Sequence, residues 1–255
     1  MEKLKPLTVM KFSRGDSVKP LQVVITDKVL GKGSFGEVRV GYNKENKNQV
    51  FAVKIIDKTK LKTRKAKQDM MSEIELLTVL KSPNIVKMIA ETKENEDQYI
   101  AMEMCNGRDL TKFLEAKGGF LNEEDARFVL IQIIKGVAAM HERDIMHRDL
   151  KTDNIMVHFP NLSYKELFDK RFDLMKFVSS QDVASGYQVK LADLGLARKI
   201  EVNSMTDTYC GTPMYMAPEV ARGDFYDNTA DIWSIGCIFY YLLVGFLPFT
   251  ANNHF

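Results

Sequence analysis

Three side chains suited to phosphoryl transfer lie within six residues near the middle of the chain: Asp149, Lys151 and Asn154. A carboxylate can accept a hydroxyl proton, a fixed ammonium can offset charge on a moving phosphoryl group, and an amide oxygen can hold Mg²⁺. The alternative interpretation is a polar turn after a helix, because Asp and Asn also favour turns. The segment is therefore a candidate catalytic loop whose interpretation depends on the elements around it.

A glycine-rich segment, Gly31-Lys32-Gly33-Ser34-Phe35-Gly36, precedes this loop. Glycines let backbone amides approach a phosphate closely. The segment lies between two predicted strands, residues 23–30 and 39–42, and a third predicted strand, Val50–Ile56, carries Lys54. A dinucleotide-binding turn would instead lead into a helix. The strand–loop–strand order favours a flap that lies over a nucleotide.

The elements that follow change from strands to helices. Apolar residues at helical spacing predict a helix over Gln68–Leu80, and Glu73 lies beside its apolar stripe. Residues 85–91 and 98–104 alternate enough to predict two strands. Beyond them helices dominate, and Asn122 with three acids after it predicts a helix start that leads to the candidate loop.

The motifs and their order resemble those of eukaryotic-type protein kinases over residues 30–249. The octet His147–Asn154 matches the family's catalytic loop, Asp193-Leu194-Gly195 its metal-binding triplet, and Ala217-Pro218-Glu219 its activation-segment anchor. The family usually has Phe where Leu194 stands, and this change affects packing rather than chemistry.

Two residues identify the chain as similar to the Ser/Thr type of kinase, namely Lys151 and Thr212. The run from Gly211 to Val220 and the segment from Ala230 to Gly236 most resemble the autophagy-initiating kinase subfamily. Calcium/calmodulin-like kinases are the nearest rival.

The resemblance implies an α+β, bilobal fold. Its small, β-rich N-lobe would cover about residues 23–104 and its helical C-lobe about residues 105–255. Residues 1–22 would be an N-terminal extension, either a poorly ordered terminus or an added edge element. Kinases continue with further helices after the position of Phe255, so we expect a C-lobe truncated after its central buried helix, and a fragment.

The resemblance also implies a site for ATP and Mg²⁺. The residues implied as catalytic are Asp149 as the base, Lys151, Lys54 as the phosphate ligand, and Glu73 as the ion-pair partner of Lys54. The implied metal ligands are Asn154 and Asp193. The remaining nucleotide contacts would come from Leu30, Gly31, Gly33, Ser34, Gly36, Val38, Ala52, Met102, Glu103, Cys105 and Met156. Glu75 competes with Glu73, but it faces elsewhere on the helix.

A regulatory switch and a substrate contact are implied as well. An arginine directly before the catalytic aspartate, Arg148, would pair with a phosphate on Thr208, and Arg198 would be the second cation. The alternative is that Thr208 is only an exposed hydroxyl. Asp109 would lie near the ribose or a substrate residue, and Thr212 near the substrate hydroxyl.

An insertion interrupts the segment between the two implied metal ligands, which are separated by 38 residues where a tight hairpin would need about 2–5. Ser163 and Glu166 form a capping-box pattern. Apolar residues then recur every three to four positions, which predicts an amphipathic helix with a polar tether over about residues 160–184. This helix would either pack on its own lobe or dock a partner.

The composition argues against several other classes of protein. The 36 basic and 34 acidic side chains give a net charge of +2, which argues against a dedicated nucleic-acid binder. Three cysteines at unpatterned spacing and no apolar leader favour a cytoplasmic setting. Residues 232–255 carry no formal charge, and a buried core helix explains them better than a transmembrane segment.

The sequence therefore predicts a serine/threonine kinase that transfers the γ-phosphoryl group of ATP to protein hydroxyls. The alternative from another class is a pseudokinase, an ATP-binding interaction module without activity because the C-lobe is truncated. A membrane-anchored module using residues 232–249 is the third hypothesis.

Overall fold

A computed structural model describes residues 4–13, 19–33, 36–95, 97–169, 171–199 and 210–249. The chain divides into two compact units. Unit 1 comprises the residues up to Met71 together with Lys87–Asn106 and Asn161–Phe172. Unit 2 comprises Ser72–Val86, Gly107–Pro160 and the residues from Asp173 onward. The units differ from the predicted lobes because Ser72–Val86 groups with unit 2 and Asn161–Phe172 with unit 1.

Unit 1 is built on a six-stranded antiparallel sheet with the order β1-β2-β3-β4-β6-β5. Its strands are β1 (Pro6–Phe12), β2 (Leu21–Gly33), β3 (Gly36–Asn43), β4 (Val50–Asp57), β5 (Met88–Glu94) and β6 (Asp97–Glu103). Strand β1, in the N-terminal extension, pairs with β2 at one edge of this sheet. Ser13, which follows β1, exchanges two backbone hydrogen bonds with Glu91 of β5, so the sheet curls until its two edges meet.

The two faces of this sheet bury different residues, because side chains alternate along each strand. One face forms a core of Met10, Phe12, Leu21, Val23, Ile25, Phe51, Val53, Ala90 and Ala101. The opposite face carries Ala52 and Lys54, whose cross-strand partners on β3 are Val40 and Val38. The alternation thus separates the core of unit 1 from the face that carries the predicted nucleotide contacts.

Unit 2 is mainly helical. The α-helices that lie entirely within unit 2 are α2 (Leu110–Ala116), α3 (Glu123–His141), α5 (Leu174–Ser179), α6 (Pro218–Arg222) and α7 (Thr229–Val244). Helix α1 (Arg64–Val79) runs from unit 1 into unit 2, and α4 (Tyr164–Leu167) belongs to unit 1. As predicted, Asn122 caps α3 by accepting a hydrogen bond from the N–H of Asp125. The buried side of α3 is apolar and holds the segment that follows it in place.

Two small antiparallel ladders carry the candidate loop and the metal-binding triplet. Strand β7 (Ile145–Met146) pairs with β10 (Arg198–Lys199), and β8 (Ile155–His158) pairs with β9 (Gln188–Leu191). Residues 159–187 connect β8 to β9, so the insertion leaves the hairpin intact.

The prediction of one amphipathic helix over residues 160–184 is wrong. Two short helices, α4 and α5, and a 3₁₀ turn at Val183–Ser185 take its place. The break has a local cause. Asp169 accepts a hydrogen bond from the backbone N–H of Arg171, which starts a turn, and Asp173 caps α5 by accepting from Lys176.

Helix α7 is the apolar segment that raised the question of a membrane span. Its buried side includes Ser234, Ile235, Cys237, Ile238 and Leu242. No helix among the described residues is both long and apolar enough to cross a membrane.

Candidate active site

The predicted catalytic loop brings three polar groups into mutual contact. The Asp149 carboxylate accepts a hydrogen bond from Lys151 at Oδ2 (2.8 Å) and one from the Thr212 hydroxyl at Oδ1 (2.7 Å). Lys151 also donates to the Thr212 oxygen at 2.8 Å. Thr212 lies 63 residues from Asp149 in the sequence, so the fold assembles this triangle from two distant segments. The Asp149 side chain is 12% exposed and the Lys151 side chain 23%, which leaves both within reach of a substrate.

Asn154 holds the same carboxylate from the other side. Its amide nitrogen donates to the Asp149 carbonyl at 2.8 Å and to Asp149 Oδ2 at 2.9 Å. The residue is buried at the end of a short 3₁₀ helix, Thr152–Asn154. Because the nitrogen is used within the loop, the amide oxygen is the group left to act as a ligand.

The start of the loop is anchored by a buried acid, Asp231, at the first turn of α7. Its carboxylate accepts hydrogen bonds from the His141 ring (2.8 Å) and from the backbone N–H groups of His147 (2.9 Å) and Arg148 (3.0 Å). Burial acts to raise the pKa of Asp231, but the His141 hydrogen bond, the nearby His147 ring and the two backbone donors outweigh it. The pKa of Asp231 therefore lies below its usual range, and the ionised carboxylate holds the loop.

The second implied metal ligand, Asp193, follows β9 directly. The N–H of Ala192 donates to the carbonyl of Asn154 at 2.8 Å, because the paired β8 and β9 end side by side. Asp193 has a positive φ of 55° and an exposed side chain. One carboxylate and one amide oxygen at adjacent strand ends are hard ligands that fit Mg²⁺, with substrate oxygens and water to complete the coordination.

The predicted acid of α1, Glu73, is 6% exposed, whereas its competitor Glu75 is exposed. An atom added as Cβ of Gly195 would lie 3.7 Å from Glu73 Oε2, so Glu73 lies beside the metal-binding triplet within unit 2. Lys54 belongs to unit 1. The predicted ion pair between Lys54 and Glu73 stays a prediction.

The nucleotide contacts predicted in unit 1 occupy one face of the sheet. Two cross-strand rows carry them: Val38 opposite Lys54, and Ala52 opposite Met102. The glycine-rich segment is the β2–β3 hairpin, in which Gly31 pairs with Val38 and Gly33 with Gly36. A Cβ at Gly36 would overlap the carbonyl oxygen of Ile55, so no larger residue fits there. Leu30 is exposed on β2, and Ser34 lies outside the described residues.

The segment leaving β6 contains the predicted adenine contacts Glu103 and Cys105. The backbone N–H of Glu103 donates to the carbonyl of Lys87 at 2.9 Å, and its side chain accepts from the N–H of Lys87 at 2.6 Å. Cys105 is half-buried. Two further residues of this segment, Met104 and Asn106, make contacts with the insertion that sequence reasoning did not predict.

Asp109 and Met156 lie together in unit 2, where they form an isolated antiparallel bridge. The Asp109 carboxylate caps α2 by accepting a hydrogen bond from the N–H of Lys112 at 2.8 Å. This cap uses one of its oxygens and leaves the other for a ribose or substrate contact. Asp is a favoured N-cap residue, so this cap has a local signal in the sequence.

Arg148, the predicted phosphate ligand, lies between β7 and Asp149. It has a positive φ of 66°, and its Nε donates to the carbonyl of Leu196 at 2.6 Å. Its Nη1 is buried and has no hydrogen-bond partner among the residues the structure describes. Arg198 is exposed and pairs with Met146, two residues before Arg148. Thr208, the predicted phosphate carrier, lies outside the described residues.

A buried hydroxyl chain supports the loop and was not predicted. Thr152 lies between Thr111 (2.8 Å) and the Tyr215 hydroxyl (3.1 Å). Ser234 of α7 donates to the Tyr215 carbonyl at 2.8 Å. A hydroxyl side chain inside the loop, Thr152, is a local sign of such a chain. Its partners Thr111 and Tyr215 are 41 and 63 residues away, so the sequence does not identify them.

Comparisons with known proteins give the family. Residues 24–255 match the protein kinase domain family. The serine/threonine-protein kinase atg1 of Aspergillus niger is 33% identical over 253 residues, covering 88% of this chain and 25% of that protein. The serine/threonine-protein kinase ULK1 of Homo sapiens is 36% identical over 225 residues, covering 88% of this chain and 20% of that protein. The calcium/calmodulin-dependent protein kinase type 1 of Macrobrachium nipponense is 33% identical over 255 residues, covering 98% of this chain and 66% of that protein.

These relatives confirm the resemblance to serine/threonine kinases of the autophagy-initiating subfamily, and the calcium/calmodulin-dependent rival matches at a similar level. The chain spans about a quarter of the length of the atg1 relatives. With a bilobal α+β architecture and a family match that covers most of its residues, the chain belongs to the protein kinase family.

Proposed function

We propose that this chain is a serine/threonine kinase domain that transfers the γ-phosphoryl group of ATP to hydroxyl groups of protein substrates. The observation that carries the proposal is the triangle of Asp149, Lys151 and Thr212. The Asp149 carboxylate accepts from Lys151, Thr212 and Asn154, so it is fixed in orientation, and it can accept the proton of an incoming hydroxyl group. The adjacent ammonium offsets charge that develops on the transferred group.

The proposed metal ligands are Asn154 and Asp193. When bound, Mg²⁺ would neutralise charge on the phosphate oxygens of ATP. Asn154 has a second task, because its amide nitrogen holds the Asp149 carboxylate in place. One residue thus couples the metal site to the catalytic base.

The proposed nucleotide site uses the sheet face of unit 1 and the segment after β6. Lys54 would orient the phosphates with Glu73 as its partner, and Glu103 and Cys105 would bind adenine through backbone groups. The other proposed contacts are Leu30, Gly31, Gly33, Ser34, Gly36, Val38, Ala52, Met102 and Met156. Asp109 would contact the ribose or the substrate.

The proposed activation switch is a phosphate on Thr208 bound by Arg148 and Arg198. The buried Nη1 of Arg148 has no hydrogen-bond partner in the described part of the chain, and this supports the switch, since a guanidinium nitrogen without an acceptor is unfavourable inside a protein. A phosphate carries about −1.5 to −2 charge and supplies several acceptors. It would join the catalytic loop to the activation segment.

A role in autophagy initiation is the finer part of the proposal. The similarity to atg1 and ULK1 supports it, while the match to the calcium/calmodulin-dependent kinase supports only the general activity. Protein substrates of an autophagy-initiating assembly would be the proposed partners, in the cytoplasm.

The test is transfer of labelled phosphate from Mg²⁺–ATP to a generic basic protein substrate, followed by acid hydrolysis and identification of the labelled amino acid. The proposal predicts phosphoserine and phosphothreonine and no phosphotyrosine. ATP binding without any transfer would support the pseudokinase alternative instead.

A further inference from the structure

The first helix of the insertion docks on the sheet of unit 1. Tyr164, Leu167 and Phe168 pack against a cluster on the sheet that contains Val40, Val50, Met104, Tyr42 and Ala52. These residues lie on the sheet face that also carries Lys54 and Met102. The insertion therefore covers one end of the face assigned to the nucleotide.

The start of α4 is fixed by its own capping box. The Ser163 hydroxyl accepts from the N–H of Glu166, and the Glu166 carboxylate accepts from the N–H of Ser163 at 3.0 Å. These two bonds stabilise the first turn. Tyr164 is the first residue after the cap, so its backbone position is well defined.

Two polar contacts join the insertion to the segment after β6. The Tyr164 hydroxyl donates to the carbonyl oxygen of Met104 at 2.7 Å. The side-chain amide of Asn106, which is 2% exposed, donates to the carbonyl of Leu162 at 2.9 Å. The contacts lie on either side of Cys105, the residue whose backbone is assigned to adenine.

The Met104 contact determines the direction of a second group. The carbonyl of Met104 and the N–H of Cys105 belong to one peptide unit, which is planar and points its C=O and N–H in opposite directions. Fixing the carbonyl toward Tyr164 therefore points the Cys105 N–H away from the insertion. A hydrogen bond to the carbonyl also polarises the unit and makes its N–H a stronger donor.

The phenol is suited to donate at any physiological pH. Burial raises the pKa of Tyr164 well above its usual range, and the nearby Cys105 and Glu103 raise it further. The hydroxyl therefore keeps the proton that it donates to the Met104 carbonyl.

We propose that Tyr164 of the insertion is a positioning residue for adenine recognition, which aims and polarises the Cys105 N–H through the Met104 carbonyl. The inference rests on the proposed function, because it assumes that the Cys105 N–H donates to the N1 nitrogen of adenine. It gives the insertion a role inside its own chain, in contrast to the docking of a partner.

The test compares Tyr164→Phe with the parent chain, using ATP and inosine triphosphate as competing ligands. The variant keeps the ring in its cluster and loses only the hydroxyl. Adenine offers an acceptor at N1, whereas hypoxanthine carries a hydrogen there and cannot accept from Cys105. We expect the variant to bind ATP about 3- to 10-fold more weakly, because a misdirected Cys105 N–H loses its hydrogen bond to adenine. The affinity for inosine triphosphate should stay unchanged. KM for ATP should change more than kcat.

Tyr99→Phe is the matched control, because it removes a hydroxyl that donates to Asp97 at 3.3 Å in the same unit. We expect no change in its selectivity. An unchanged ATP affinity in Tyr164→Phe, or equal losses for both nucleotides, would overturn the inference and leave the proposed function standing. A parent chain that binds neither nucleotide would overturn the proposed function and, with it, this inference.

Discussion

Replacing Asp231 by Asn tests how the catalytic loop is held. The acid is 2% exposed, and its two oxygens accept three hydrogen bonds from His141, His147 and Arg148. Asn has the same shape but only one oxygen. In its better orientation it keeps the two donors at the Oδ2 position and turns its NH₂ group toward the N–H of Arg148.

The expected loss of stability follows from these contacts. One hydrogen bond to a charged acceptor disappears, which removes about 1.5–3 kcal/mol. The two that remain lose the acceptor's charge and about half of their strength. The sum is about 3–5 kcal/mol of the free energy of unfolding, the range for breaking a buried charged network. For a chain of this size we expect Tm to fall by about 10 °C.

Differential scanning fluorimetry of parent and variant checks this value. Asp224→Asn is the matched control, because Asp224 is an exposed acid of unit 2 that pairs with Arg222 at the surface. A surface pair contributes about 0–1 kcal/mol, so this control should melt near the parent. An Asp231→Asn protein that melts as high as the Asp224→Asn control would refute the reasoning.

The pH dependence gives a second check. The folded pKa of Asp231 is depressed, so its contribution to stability is present above the unfolded pKa of about 3.9 and is lost as pH falls through the folded value. We therefore expect the difference in stability between parent and Asp231→Asn to be constant near neutral pH and to shrink below about pH 4. A difference that grew on acidification would have the wrong sign for this account.

Three further predictions concern the active site. Asp193→Ala and Asn154→Ala each remove a hard ligand, so calorimetry should show weaker ATP binding with Mg²⁺ and unchanged binding in EDTA; equal loss in EDTA would exclude a metal role. Thr212→Val removes two hydrogen bonds and should lower kcat by about 10- to 100-fold, while Thr212→Ser should stay near the parent. Arg148→Ala and Thr208→Ala should lose activity to a similar degree and the double variant little more, because both belong to one contact; additive losses would exclude the switch.

Local features of the fold could be predicted from the sequence because their signals lie within a few residues. Asn122 with the acids after it predicts the start of α3, and the structure shows that cap. The alternation in β4 places Lys54 and Ala52 on the opposite face from Val53, as the register shows. The five-residue separation of Asp149 and Asn154 likewise favours their contact, because the short 3₁₀ turn leaves little freedom.

Contacts between distant segments could not be predicted in this way. Nothing near Tyr164 in the sequence indicates its hydrogen bond to Met104, 60 residues away. The break in the insertion did have a local signal, since Asp173 before Leu174 is a good helix cap. The prediction of one continuous helix followed the regular spacing of apolar residues, which continues across the break, and not the cap at Asp173.

The most direct test of the central claim is steady-state phosphorylation by Asp149→Asn. The proposed base contributes about 10²–10⁴-fold to the rate, so kcat should fall by that factor while the affinity for Mg²⁺–ATP, measured by titration, stays at the parent value. Turnover at the parent rate, or a collapse of ATP binding without a matching loss of turnover, would contradict the role of Asp149.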